Sequence, residues 1–161
     1  MLEDFDPQFL ELLSALNAVV AETGEMVEGN LFYEHHDAAF PYATITECFA
    51  PKRVNLIAAC SGRGSALEIG VNAGHSALLM LYHNPQLRYV GVDICEHRYT
   101  QKAMDFLQKE FPERVEFFVG DSVEVLPKIA ASRPDLRFDV LHIDGLHTVY
   151  HCTTDTHNAI G

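Results

Sequence analysis

Basic residues are scarce in this chain. Eleven Lys and Arg stand against 23 Asp and Glu over 161 residues, a formal net charge of −12. A nucleic-acid duplex repels such a surface unless a local basic patch exists, and Lys52-Arg53 is the one adjacent basic pair. Nucleic acid is therefore not an expected partner. Cysteine is also sparse. Cys48, Cys60, Cys95 and Cys152 form no C-x-x-C, which argues against a zinc ribbon or a thioredoxin-type motif. No apolar run reaches the ~20 residues that a membrane span needs. The N-terminus, Met1-Leu2-Glu3-Asp4-Phe5-Asp6, is acidic and lacks the basic n-region of a signal peptide. These absences predict a cytoplasmic protein with reduced, mostly buried thiols and no membrane partner.

What is present fits a globular domain with a substantial core: 48% hydrophobic and 21% charged residues, in a length typical of one domain. Leu10, Leu12, Leu13, Leu16, Val19 and Val20 recur at three- and four-residue steps, which predicts an apolar helical stripe broken at Thr23-Gly24. Leu31 to Tyr42 is rich in aromatics and histidine and reads as an irregular or short helical segment. Val54, Leu56, Ile57, Ala58 and Cys60 predict a second helix with Pro51 in its first turn, stopped by the turn cluster Ser61 to Ser65. After this the rhythm changes. Apolar runs at 66–70, 89–93, 115–120 and 138–144 alternate with helical segments at 75–82, 99–111, 123–131 and 148–160. Such alternation predicts an α/β fold, a Rossmann-like parallel sheet with helices on both faces, following a helical N-terminal segment. The division expected is 1–61 for that segment and 62–161 for the Rossmann-like domain.

In open α/β sheets ligands bind beyond the carboxyl ends of the strands. Those four ends read Glu68-Ile69-Gly70-Val71-Asn72-Ala73-Gly74, Asp93, Gly120-Asp121-Ser122 and Asp144-Gly145-Leu146-His147. In the first, Gly70 permits a sharp turn and Gly74 a close approach. Ser76 can cap the following helix or bond a ligand carboxylate, helped by the helix amides, and Glu68 favours a cationic group. The dinucleotide fingerprint G-x-G-x-x-G fails at its middle glycine, where Asn72 stands. The loop could also be only a tight strand-to-helix turn. Asp93 has the placement of an acid that accepts from ribose hydroxyls, or of one that caps the next turn. Asp121 and Ser122 could meet an adenine amino group, cap the next helix, or do both.

Taken together these stretches resemble a known family. Leu67-Glu68-Ile69-Gly70-Val71-Asn72-Ala73-Gly74-His75-Ser76-Ala77 looks like motif I of class I methyltransferases dependent on S-adenosylmethionine, in the catechol O-methyltransferase variant. Val90 to Asp93 and Phe118 to Ser122 are similar to the second and third motifs. Phe138 to His147 is similar to the fourth, in the D-G-x-H form shared with macrocin-type O-methyltransferases. The resemblance covers roughly residues 66–155. It implies transfer of a methyl group from S-adenosyl-L-methionine to a small-molecule hydroxyl acceptor. It also implies that Glu68, Gly70 and Ser76 meet the methionine end of the cofactor, with Asn72 and Gly74 in the same binding loop. Asp93 would hold the ribose, Ile94 would pack on the adenine, and Asp121 and Ser122 would lie at its edge. In metal-dependent relatives the residue matching Asp144 binds a divalent ion, usually Mg2+, and the one matching His147 is the general base. A neutral histidine can take a hydroxyl proton near pH 7, and a metal lowers the hydroxyl pKa.

A full domain of this type has seven strands, three more than the four read here. The fourth strand is then expected to be an apolar edge open to self-association, making a homo-oligomer. Two other functions fit the same strand ends: an NAD(P)-dependent oxidoreductase domain, and a non-catalytic cofactor-sensing or interaction module. His147, His151 and Asp155 share a predicted helix face, as zinc ligands or as a solvated polar face. His35-His36-Asp37 could be metal ligands or substrate-binding groups, or a polar loop. Phe32, Tyr33, Phe40 and Tyr42 could line an acceptor pocket or belong to the core. Cys95 has no partner base in sequence that would mark it as a nucleophile.

Overall fold

Asp6 and Pro7 start the first helix. The Asp6 side chain accepts from the Gln8 N–H at 2.8 Å and Pro7 occupies the first turn, where its missing N–H costs nothing. In the computed structural model, which describes residues 5–33 and 45–160, this helix, α1, runs Pro7–Ala21. Its buried face is Phe9, Leu13, Leu16, Asn17 and Val20, steps of four and three that align on one side. The stripe predicted from the leucines is therefore rotated, and Leu10 lies 40% exposed. A short 3-10 turn, Glu47–Phe49, leads into α2, Ala50–Cys60. Here too the buried face differs from the predicted one. Val54 is exposed, and Arg53 is buried at 2% exposure. The Arg53 guanidinium donates to the carbonyls of Leu31 and Thr46 at 2.7 and 3.1 Å and lies over the rings of Phe5 and Phe32. It acts as a core clamp, with its charge met by backbone oxygens and π faces.

The remaining elements are β1 Ser65–Ile69, α3 His75–His83, β2 Arg88–Asp93, α4 Arg98–Glu110, β3 Val115–Val119, α5 Ser122–Ser132, β4 Val140–Ile143 and α6 Val149–Ile160. All strand pairs are parallel, in the order β3-β2-β1-β4. Strand alternation splits the core into two layers. Ala66 and Tyr89 face a cluster with Phe9, Leu16, Leu78, Met80, Met104 and Leu107. Leu67, Ile69, Val90 and Val92 face Leu126 and Ile129 of α5. The N-terminal helix thus shares one core with α3 and α4, and the sheet carries helices on both faces, as the sequence predicts. β4 is shorter than expected. Asp139 stands outside it and accepts from the N–H groups of Gly64 and Ser65 at 2.8 and 3.1 Å, which ties the entrances of β1 and β4 together.

The thiols depart from expectation. Cys60 alone is buried, Cys95 is half-buried, and Cys48 and Cys152 are exposed. Among the described residues no helix is long and apolar enough to cross a membrane. Residues 35–37, Phe40 and Tyr42, read above as candidate site residues, lie outside the described residues.

Candidate functional site

The sheet order reverses at β1, which has β2 on one side and β4 on the other. Such a switch point opens a crevice above the strand ends. A cavity of about 780 Å³ occupies it. Of the residues singled out from sequence, Gly70, Asn72, Ser76, Asp93, Ile94, Asp121, Ser122, Asp144 and His147 all line this cavity. Phe32 and Tyr33, in contrast, are core residues, buried to 0% and 5% exposure.

Gly70 is needed by sterics. Its φ is +85°, and a Cβ there would lie 2.6 Å from the Asp144 carbonyl carbon and 2.7 Å from the Gly145 nitrogen. The first loop therefore passes directly against the loop after β4, which is what brings two distant motifs to one cavity. Asn72 also has positive φ, 53°, a conformation that Asn tolerates better than most residues. Asp93 organises this loop. Its Oδ2 accepts from the N–H groups of Val71 and Asn72 at 2.8 and 2.9 Å, and its Oδ1 from Cys95 N–H at 2.7 Å. A carboxylate has roughly four acceptor positions, so Oδ1 keeps one for a ligand. The turn-capping reading of Asp93 is thus what the bonds show, and it leaves room for a ligand. The same holds at Asp121, which caps α5 by accepting from Val123 N–H at 2.9 Å.

Glu68 sits below the cavity rather than on its wall. It is fully buried, and its carboxylate accepts from the Ser76 and Tyr89 hydroxyls and from His142 Nδ1, the last at 2.7 Å. Gly91 leaves space for the Tyr89 ring, since a Cβ there would lie 3.0 Å from Tyr89 Cε1. Burial pushes the Tyr89 phenol well up, and the Glu68 charge adds to this. Burial alone would lower the His142 imidazole, but the Glu68 hydrogen bond and charge reverse the direction and raise it. Because the Ser76 proton is committed to Glu68, Ser76 presents lone pairs to the cavity. That disfavours the carboxylate-binding role expected of it, since a carboxylate offers no proton. Gly74, also expected at the site, faces α4 instead: a Cβ there would meet Leu107 Cδ1 at 3.0 Å.

At the far side, His147 Nε2 lies 3.2 Å from Asp144 Oδ1, with both side chains exposed. Among the described residues no group of three or more His, Cys, Asp or Glu could hold a metal ion. His151 bonds Thr148 rather than His147, so the two histidines do not form a chelating pair. Asp155, read above as part of a polar helix face, is buried at 1% exposure and accepts from the Ser122 hydroxyl at 2.6 Å. It lines the cavity, as do Glu28, Gly29, Asn30, His75 and His97, which sequence reasoning did not place there.

The profile of a family described as a methyltransferase domain matches residues 67–160, more than half of the chain. The chain belongs to the methyltransferase-domain family. No curated protein matches it. Solved structures do. Cofactor-bound Rv0187 from MTB is 21% identical, with a TM-score of 0.62 over 99% of this chain and 63% of that one. The O-methyltransferase TomG from Streptomyces achromogenes, solved in complex with SAM, is 20% identical, with a TM-score of 0.62 and the same coverage of 99% and 63%. An O-methyltransferase from Bacillus cereus in complex with SAH is 18% identical, with a TM-score of 0.51 over 90% of this chain and 57% of that one. At these identities the likeness is one of fold, and this methyltransferase-domain chain spans about three fifths of the length of those proteins.

Proposed function

We propose that this chain binds S-adenosylmethionine in the crevice above β1 and serves an O-methyltransferase acting on a small-molecule hydroxyl. One observation carries the reading: the ends of all four strands, with Gly70, Asp93, Asp121 and Asp144, surround a single cavity. The donor set suits the cofactor. The free acceptor position on Asp93 Oδ1 can take a ribose hydroxyl. Ile94, 55% exposed at the cavity, offers an apolar face to the adenine. Asp121 and the lone pairs of Ser122 are acceptors for its amino group. The dinucleotide alternative has less support, because the Asn72 side chain stands where a pyrophosphate needs a bare backbone.

When bound, S-adenosylmethionine supplies a methyl group on a positively charged sulfur. The chain must then orient an acceptor hydroxyl and take its proton. His147 is the candidate base. Its Nε2 faces the Asp144 carboxylate, which fixes the proton on Nε2 and leaves Nδ1 as the acceptor. Asp144 in this role positions the imidazole. As a metal ligand it lacks companions among the described residues, whereas a hard cation takes about six or more oxygen ligands, so the donor set does not by itself fit Mg2+.

We propose further that the chain divides into an N-terminal segment, 1–61, and a cofactor-binding domain, 62–161, works in the cytoplasm, and self-associates through β4. That strand pairs with β1 alone among the described residues. Sizing of the chain at several concentrations tests the last point, and a strictly monomeric species refutes it.

Calorimetric titration with S-adenosylhomocysteine, with NAD as competitor, tests the main reading. Binding that NAD does not displace, and that Asp93→Ala weakens by ~1.5–3 kcal/mol, the scale of lost charged hydrogen bonds, is the expected result. No heat from a chain that circular dichroism shows to be folded overturns it.

A further inference from the structure

The residues matched by the family, 67–160, supply the four strand ends at the cavity. Part of the wall comes from elsewhere. Leu31, Phe49 and Lys52, all in the N-terminal segment, also line the cavity. They stand on a firm base. Arg53, the neighbour of Lys52 on α2, is buried and donates to the Leu31 and Thr46 carbonyls, so one guanidinium ties together the stretches that carry all three residues. Lys52 itself is exposed, and its Nζ lies over the Phe49 ring, 5.4 Å from the centroid. That is inside the roughly 6 Å reach of a cation–π contact. Phe49 thus holds the ammonium at the cavity without neutralising it.

Charge sets Lys52 apart. Six carboxylates line the cavity, on Glu28, Asp93, Glu96, Asp121, Asp144 and Asp155, whereas among the described residues Lys52 is the one Lys or Arg on its wall. It forms no ion pair among the described residues. Such a wall suits a sulfonium and repels an anion everywhere except beside Lys52. A bound sulfonium then repels a cationic acceptor and attracts an anionic one, since unit charges a few ångström apart interact appreciably even when partly screened. Both positive charges therefore select in the same direction. We infer that Lys52 determines acceptor specificity, and that the acceptor is a small hydroxyaryl acid, with its ring against Phe49 and Leu31 and its carboxylate at the Lys52 ammonium. The inference rests on the O-methyltransferase reading above and names the substrate class of that site.

Lys52→Glu and Lys52→Met test it, with circular dichroism to check that both variants are folded. The full chain, saturated with S-adenosylhomocysteine, is titrated by calorimetry with 4-hydroxybenzoate and with 4-hydroxybenzamide, which keeps the ring and hydroxyl without the charge. The wild type is expected to prefer the benzoate by about threefold or more, the scale of one partly exposed ion pair. K52M should bring the ratio close to one, and K52E should invert it. Equal affinities in the wild type, a preference that survives K52E, or no binding of either probe overturns the inference. The affinity for S-adenosylhomocysteine should change by less than about twofold among the three proteins. A larger loss in K52E places Lys52 at the cofactor and overturns the inference while leaving the cofactor reading intact. Failure of the wild type to bind S-adenosylhomocysteine overturns the cofactor reading itself.

Discussion

Burial of a neutral histidine makes stability depend on pH, and His75 is the sharpest case. In the unfolded chain its imidazole titrates near 6.5, whereas in the folded chain burial lowers it to about 4. Each tenfold change in proton affinity is worth about 1.4 kcal/mol, so the full effect is about 3 kcal/mol. The sign follows from proton counting. Between the two values the unfolded chain holds a proton that the folded chain does not, so stability rises with pH there. The contribution is complete above about 6.5 and is lost as pH falls toward about 4. His142 acts in the opposite sense. Its raised value gives stability that is present below the ordinary histidine range and fades as pH rises through the folded value. Other acidic groups also titrate in this window, so the informative quantity is a difference. His75→Gln keeps a donor for Asn17, whose Oδ1 lies 2.8 Å from His75 Nε2, and removes the titration. Urea unfolding of both proteins at pH 7 and pH 4.5 should show the wild type losing about 2 kcal/mol more than H75Q. Equal losses would refute the burial of a neutral imidazole at this position.

Gly70→Ala should destabilise by about 3 kcal/mol or more, because it combines strain at positive φ with a clash against the Asp144 backbone; thermal unfolding checks this, and a neutral effect contradicts the loop contact. Ser122→Ala leaves the buried Asp155 carboxylate without its hydroxyl and should cost about 1–3 kcal/mol. A second substitution, Asp155→Ala, should then add less in the S122A background than alone, as a double-mutant cycle would show. A thiol reagent should label exposed Cys152 quickly and buried Cys60 only on unfolding, read by mass spectrometry over time; early labelling of Cys60 contradicts the packing of α2.

The strands and their order of appearance were legible because parallel strands buried on both faces read as unbroken apolar runs, such as Tyr89 to Val92. Their ends were legible because Gly and Asp recur there, and both suit tight turns. The buried faces of α1 and α2 were not. Leucine is common on both sides of α1, and the sequence offers no sign that Phe9 rather than Leu10 turns inward, or that Arg53 is held by two carbonyls and two rings. Asp155 was misread for a similar reason: helical spacing placed it beside His147 and His151, while its actual partner, Ser122, lies 33 positions earlier. Glu68 was expected to meet a ligand, whereas its carboxylate is buried beneath the cavity. Its three partners come from β2, α3 and β4, and no local pattern reveals such a convergence.

Whether the crevice above β1 holds S-adenosylmethionine is decided by amide-resolved NMR of the isotope-labelled chain, titrated with S-adenosylhomocysteine. Saturable shifts concentrated at Val71, Asn72, Ile94 and Ser122 are the predicted result. A folded chain whose shifts fall instead on the outer face of α6, or do not occur, would contradict it.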